Sequence, residues 1–511
     1  MNKPLSKSRL LDYRQCPKRL WLQIHSPELR ADSVATLNAF ANGNDVGEIA
    51  RKIYDPDGKG VEIKRDDGGF EAVFSRSLEL LQGNKPIFEA GFRAEGALAF
   101  ADVMLPEKKA GRRVWRMIEV KSSTEVKDYH RDDAAIQAFI ARAAGVPLAG
   151  IALTHVDSKW VYQGDDDYRG LLTEEDLTEQ AFARADEVRG WIAEAQKIAA
   201  KRKAPAVCTG KHCGEPNPCG FLAHCESQEE TAEHPIQWLP NARKKDLIAF
   251  IEANWHADMR EAPDELLNEQ QRIVKKATLS GKARFDREGA ARALAGHKLP
   301  AYFMDFETAQ LAVPRWKGMK PYQQIPFQFS VHRLSRAGRL EHRQFIDLTG
   351  KDPSKRFAEA LIAACGERGP IFVYNEAFEK TRIKELAERC PRLAKPLQAI
   401  GARVVDLLPV AREHYYHPGQ HGSWSIKKVL PALCPDLDYD NLSAGRGEGD
   451  KAVQDGGMAM DAWREATAPG VAPARKAEIE RQLLEYCKLD TFATVKLWAE
   501  FTGNEVNEQS E

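Results

Sequence analysis

Four of the nine cysteines fall in one short stretch, Cys208-Thr-Gly-Lys-His-Cys213-Gly-Glu-Pro-Asn-Pro-Cys219-Gly-Phe-Leu-Ala-His-Cys225, and it restricts what the rest of the chain can be. Gly214, Pro216, Pro218 and Gly220 let a backbone wrap closely around a compact object. Thiolates in so tight a loop suit a metal centre. Tetrahedral zinc sites usually draw ligands in close C-x₂₋₄-C pairs, whereas five residues follow Cys213 before Cys219, and five more precede Cys225. That spacing favours a larger cluster. Cys16 lies far upstream in Asp12-Tyr-Arg-Gln-Cys-Pro-Lys-Arg-Leu-Trp-Leu22, expected on the polar side of a short amphipathic helix ending near Pro17. A zinc knot using Cys208 in place of Cys16, and thiols holding no metal, are the competing readings. A disulfide framework would need an oxidising compartment, and no signal peptide points to one.

One N-terminal cysteine answered by a distant group of three resembles the iron-sulfur RecB-like nucleases, including CRISPR-associated members and the iron-sulfur subunit of bacterial helicase-nucleases. The resemblance implies that Cys16, Cys213, Cys219 and Cys225 hold a 4Fe-4S cluster fastening the first helix of a front domain to its last segment. Cys208 is then left over.

A chain of 511 residues has room for two or three domains, each with its own core. Its start, Met-Asn-Lys-Pro-Leu-Ser, lacks the apolar core of a secretory signal, and no long apolar run occurs, so a cytoplasmic protein without a membrane partner is expected. A net charge of -1 neither demands nor excludes nucleic acid. The basic run Lys197, Lys201, Arg202 and Lys203 reads first as a solvated helix end and second as a set of phosphate contacts. No Gly-Lys pair is followed by Ser or Thr, which argues against a P-loop and an ATP motor.

Residues 5–54 read as helices. Strands follow at Ile87–Arg93, Leu98–Met104 and Val114–Lys121, then a helix at Asp133–Ala144, strands at Ala149–His155 and Lys159–Gln163, and a long helix from about Glu174 to Lys203. This order predicts a mixed α/β domain at residues 1–230. Its chemistry lies in Phe100-Ala-Asp-Val-Met104 and Met117-Ile-Glu-Val-Lys-Ser-Ser123. Strand alternation puts Glu119 and Lys121 on one face, so with Asp102 two carboxylates and an ammonium converge. Asp102 and Glu119 suit Mg²⁺ or Mn²⁺, and Lys121 suits the attacking water or developing charge. The set resembles the PD-(D/E)XK constellation with Ala101 at the proline position, and Gln137 resembles the glutamine that RecB-like families carry on the next helix. Many relatives place a histidine ligand where this chain has Gly43 to Glu48; Asp45 and Glu48 are the acids there.

Residues 231–296 read as a helical connector. Beyond it, Asp305 and Glu307 of Tyr302-Phe-Met-Asp-Phe-Glu-Thr308 share one strand face, a costly arrangement unless paired or metal-bound. Strands are expected near Gln324–Leu334 and Arg339–Phe345, a helix at Pro353–Cys365, and a strand from Pro370 turning at Asn375 into a helix with Phe378 and Glu379. Tyr486 and Asp490 lie one turn apart in a late helix. This order resembles the DnaQ-like DEDD exonucleases on an RNase H-like fold. The resemblance implies that Asp305, Glu307, Glu379 and Asp490 hold two divalent ions, with Tyr486 positioning water. Glu379 stands where those enzymes have aspartate, and Asp406 is a spare acid.

Together with Pro326-Phe-Gln-Phe-Ser330 and Gly422-Ser-Trp-Ser-Ile-Lys-Lys-Val-Leu-Pro431, the chain resembles a bacterial family known as domain of unknown function 2779. The resemblances imply a metal-dependent nuclease, an exonuclease on single-stranded DNA or DNA ends, acting in repair or in defence against foreign DNA. Nucleic acid is the implied partner, DNA before RNA, with room for separate helicase or defence-system proteins. The alternatives are a DEDD-type exonuclease whose front domain only grips nucleic acid, and a non-catalytic scaffold. Residues 443–475, rich in Gly and Ala, read as a mobile loop beside the second site.

Overall fold

The computed structural model describes residues 4–64, 68–435 and 453–506. The chain is mixed α/β and divides into two units, Met1–Glu230 with Leu311–Gln323, and Thr231–Gln310 with Gln324–Glu511.

The first unit holds a seven-stranded sheet: β1 (Leu5–Ser6), β2 (Val61–Glu62), β3 (Ile87–Ala94), β4 (Ala97–Lys109), β5 (Arg112–Val120), β6 (Leu148–Val156) and β7 (Leu172–Asp176). β3, β4 and β5 form an antiparallel meander, and β6 returns parallel to β5 after a helical crossover. The helices that position the site are α1 (Lys7–Gln15), α2 (Pro17–His25), α3 (Val34–Tyr54), α4 (Gly69–Leu80) and the crossover α5 (Asp128–Ala143). From Ala134 to Ala141, α5 is buried on every side, including Ile136, Phe139 and Ile140. A helix so apolar must be sandwiched rather than amphipathic.

Two local expectations fail in this unit. Lys159–Gln163 forms no strand: its aromatic residues instead stack, with Tyr162 and Tyr168 rings 4.9 Å apart, and Tyr162 exchanges backbone hydrogen bonds with Gly318 and Met319. The expected long helix from Glu174 is replaced by β7 and two shorter helices, Thr178–Ala183 and Ala185–Ala199. Leu172-Thr-Glu-Glu-Asp176 has helix-forming acids, yet it pairs along β6 as a charged edge strand, which discourages further strand addition. Lys201, Arg202 and Lys203 lie exposed beyond the last of these helices.

In the second unit β8 (Arg284–Phe285) pairs with β14 (Tyr415–Tyr416). The main sheet runs β11 (Leu340–Ile346), β10 (Gln324–Leu334), β9 (Ala301–Gln310), β12 (Ile371–Val373) and β13 (Val404–Asp406). Its first three strands in chain order are antiparallel, and β12 and β13 add parallel beyond β9. The C-terminal helix, Pro473–Thr502, packs on β9 and β10. Residues read as a connector join this unit's core: Ile236, Leu247, Met259 and Val274 cluster with Phe303, Phe372 and Trp498. Of the stretch read as a loop at 443–475, residues 443–452 lie outside the described residues, Gly456–Ala466 is a helix with Trp463 buried, and Pro473 opens the C-terminal helix.

Candidate metal-binding sites

In the first unit the antiparallel pairing of β4 and β5 sets Val103 opposite Ile118, which brings Asp102 beside Glu119 and Lys121. Asp102 Oδ2 accepts the Val120 N–H at 2.7 Å. From α5, Gln137 Nε2 donates to Glu119 Oε2 and, at 3.2 Å, to Asp133 Oδ1. Lys121 Nζ lies 2.7 Å from Glu119 Oε1 and 2.5 Å from Asp133 Oδ2. Lys7 supplies a second ammonium, 2.8 Å from Glu119 Oε1 and 3.1 Å from Asp133 Oδ1. It is placed there because β1 pairs parallel with β4, Ser6 opposite Leu98, immediately before α1 begins.

Burial drives Asp102 up to about 8, the charge of Glu119 adding to the effect. Burial works against the Asp133 carboxylate too, but Lys121 and Lys7 outweigh it and hold that group below the usual carboxylate range. Lys121 is held well above the ordinary lysine value: burial opposes its charge, while Asp133, Glu119 and Asp102 prevail. Gln137 Oε1 is buried with no hydrogen-bond partner among the described residues. A buried orphan acceptor beside carboxylates suits a bound water or cation.

Asp133 and Lys7 escaped the sequence reading. Asp133 sits one turn before Gln137 and could have been found from that spacing. Lys7 lies more than a hundred residues from its partners and carries no local signal. Of the two acids considered on α3, Glu48 is exposed and Asp45 half-buried; Glu119, Lys7 and Lys121 are the leading charges on Asp102.

Cys16 joins α1 to α2 in an extended conformation, closing one helix and opening the next at Pro17, rather than riding on a helix face. Its thiol is buried and lines one cavity with Cys213, Cys219 and Cys225. Burial pushes the Cys16 thiol up, against the Arg19 and Lys18 amides that favour the thiolate, and Cys219 adds to the rise. Burial likewise raises Cys213 and Cys225. Cys208 reaches the same cavity but is exposed. Gln15 Nε2 donates to His212 O at 2.8 Å and Asn217 O at 2.7 Å, tying α1 to the cysteine loop. Five unbridged thiols line one cavity, Cys208 the exposed one among them, and fit a thiolate-bound group.

In the second unit, Asp305 and Glu307 project from β9, and the C-terminal helix brings Asp490. Ligand atoms of these three residues lie within 4.8 Å of one another. Among the described residues no other group of three or more His, Cys, Asp or Glu does so. Burial raises Asp305 to about 8, Asp490 contributing, and raises Glu307 well above its usual value with help from Asp305 and Asp490. Glu379, buried on the helix Glu376–Arg389, is also driven well up, by burial and then by Asp305. Its Oε2 has no hydrogen-bond partner among the described residues. Clustered buried acids with an orphan oxygen fit divalent cations, which relieve their mutual repulsion.

The helix Glu376–Arg389 starts at Asn375, whose left-handed backbone (φ 80) is braced by its N–H donating to Asp406 Oδ1 at 2.9 Å. Asp406 Oδ1 also accepts the Leu408 N–H at 2.9 Å, so this spare acid organises the turn as well as adding charge near Glu379. Tyr486 is buried, and its hydroxyl accepts from Lys427 Nζ at 3.2 Å. Lys427 is the cation that offsets both Asp305 and Glu307, and no local pattern in the sequence marks it.

The family described as Domain of unknown function (DUF2779) matches residues 302–425, which span Asp305, Glu307 and Glu379. No curated protein matches the chain. Among the described residues no helix is long and apolar enough to cross a membrane.

Proposed function

We propose that this protein is a metal-dependent nuclease that hydrolyses phosphodiester bonds of DNA, with single strands or ends as substrate. The observation that carries the reading is the convergence of Asp305, Glu307 and Asp490, whose ligand atoms lie within 4.8 Å of one another in a buried setting that favours protons or bound cations. The sheet order β11-β10-β9-β12-β13, with acids on its central strand, supports an RNase H-like, DEDD-type assignment. The β3-β4-β5 meander with α5 behind it supports a PD-(D/E)XK assignment for the first unit.

In the second unit Asp305, Glu307, Glu379 and Asp490 would hold divalent cations, which supply charge neutralisation and an activated water. Tyr486 keeps its proton, because burial and the adjacent Asp490 raise its phenol far above the usual range, so its hydroxyl can orient a nucleophile. In the first unit Asp102 and Glu119 would hold the cation. Lys121 and Lys7 stay charged there and lie within reach of negative charge that develops on a phosphate. Gln137 fixes the Glu119 carboxylate. Cys16, Cys213, Cys219 and Cys225 would hold a 4Fe-4S cluster whose role is to staple α1, and hence Lys7, to the end of the unit. Zn–S bonds of about 2.3 Å put thiolates on one zinc roughly 3.8 Å apart. Among the described residues no three cysteines meet even the 4.8 Å limit, which favours the larger cluster.

The test is cleavage of end-labelled single- and double-stranded DNA and RNA by anaerobically purified protein with Mg²⁺ or Mn²⁺. Metal-dependent degradation of single-stranded DNA supports the reading. A pure, metal-loaded protein that degrades none of these substrates refutes it.

A further inference from the structure

Beside the first acidic cluster lies a cavity of about 460 Å³ lined by Lys7, Arg9, Phe70, Glu89, Phe100 and Asp102, among others. Phe100 and Asp102 share one face of β4 because they are two apart. Phe70, at the first turn of α4, is 55% exposed. Its ring lies 5.9 Å from Phe100, and Phe74 continues the cluster 6.2 Å from Phe100. This platform is held firmly. Gly91 on β3 lets α4 approach, since an added Cβ would lie 2.9 Å from Val73 and 3.0 Å from Phe100. Ser77 then latches α4 to the strand, its Oγ accepting the Gly91 N–H at 2.9 Å and donating to Val73 O at 2.7 Å.

The same cavity carries two cations, Lys7 and Arg9, and two acids, Glu89 and Asp102, and Lys7 is already paired with Glu119 and Asp133. Arg9 is half-buried at its wall, and its guanidinium makes no ion pair among the described residues. Across the sheet, Glu89 adopts a left-handed backbone (φ 58) where the β3–β4 register passes from Phe88–Val103 to Ala90–Ala101. That irregularity stands level with Asp102 and sets the acidic end of the cleft.

We propose that this cavity seats an end of single-stranded DNA, with a base stacked on Phe70 and Phe100 and a backbone phosphate on Arg9, directing the next phosphodiester toward Asp102 and Glu119. The proposal rests on the nuclease reading of the first site and adds its substrate subsite. Stacking gives a use to the exposed ring of Phe70 beside Phe100, and a duplex end, whose bases are already stacked and paired, gains less from it.

The test is equilibrium binding of a fluorescent single-stranded DNA oligonucleotide to the full chain in EDTA, where cleavage cannot contribute. Phe70→Ala is expected to weaken binding about tenfold, and Phe70→Trp to restore it. The loss should shrink on an oligonucleotide with abasic ends and on a blunt duplex. Arg9→Ala should lower the slope of log affinity against log salt by about 0.7, the value of one single-strand phosphate contact. Unchanged binding by Phe70→Ala, or an equal loss on abasic DNA, overturns the proposal. A changed oligomeric state with unchanged DNA binding also overturns it, assigning the patch to a second copy of the chain. If Phe70→Ala weakens binding while Lys121→Ala leaves cleavage intact, the cleft stands and the catalytic reading of the first site falls.

Discussion

The two acidic clusters solve the same electrostatic problem differently. In the first unit, buried Glu119 and Asp133 are ion-paired with Lys7, from the start of the unit's sequence, and with Lys121, two residues after Glu119. In the second, Asp305, Glu307 and Asp490 crowd one another and Glu379 is raised by Asp305, while Lys427 and, for Glu379, Arg382 offset only part of the charge. A cluster that carries its own cations can persist without metal. A cluster that does not must take up protons or bind cations. The first site should therefore depend on its lysines for catalysis, and the second on metal for its stability as well.

The largest expected effect is on catalysis. Lys121→Ala should lower the first site's share of Mn²⁺-dependent cleavage of single-stranded DNA by about 10²–10³-fold, the scale for losing one group that stabilises transition-state charge, and leave only what the second unit cleaves. Circular dichroism should show the fold retained. Unchanged cleavage would move the activity to the second unit and break the comparison.

A smaller loss of first-site activity is expected from the staple. Cys16→Ala and Cys219→Ala should each release iron and cut first-site cleavage about tenfold or more, since α1 carries Lys7, while Cys208→Ala leaves both unchanged. Iron analysis and the cleavage assay check this together. Equal iron loss in Cys208→Ala would reassign the ligands, and stoichiometric zinc would replace the cluster.

Metal should separate the units more finely. Mn²⁺ at a hundredfold excess over its dissociation constant would stabilise a site by about 2.7 kcal/mol. The corresponding rise in melting temperature should survive in Lys121→Ala and fall sharply in Asp305→Asn. A rise unaffected by Asp305→Asn would put the tight metal site elsewhere.

The smallest effect is the pH dependence of the EDTA-treated protein. Asp305 has its folded value raised to about 8, so its contribution to stability is fully present below pH 3.8 and lost as pH rises through 8. Asp102 acts with the same sign. Asp133 is depressed, so its contribution is present above pH 3.8 and lost only as pH falls below that. Chemical denaturation from pH 4 to 8 should therefore show stability declining toward high pH, less steeply in Asp305→Asn. A flat profile for the parent would contradict the protonated state assigned to Asp305.

Much of this was legible because strand and helix periodicity is local. The pair Asp305 and Glu307, the one-turn spacing of Tyr486 and Asp490, and the meander carrying Asp102 and Glu119 could be placed from a few residues each. The missing parts are long-range. Lys7 and Lys427 act on acids that only tertiary folding brings near, and neither lies in a pattern of its own. The acidic strand Leu172–Asp176 was misread because its pairing with β6 overrides local preference. The helices of 231–296 looked like a connector because their apolar residues find partners, such as Phe372 and Trp498, much later in the chain.

The most direct test of the central claim compares Mn²⁺-dependent cleavage of end-labelled single-stranded DNA by the parent, Lys121→Ala, Asp305→Asn and the double variant. The account predicts that the parent degrades the strand, that each single variant retains only the activity of the other site, and that the double variant is inert. Cleavage by the double variant at the parent's rate would contradict it.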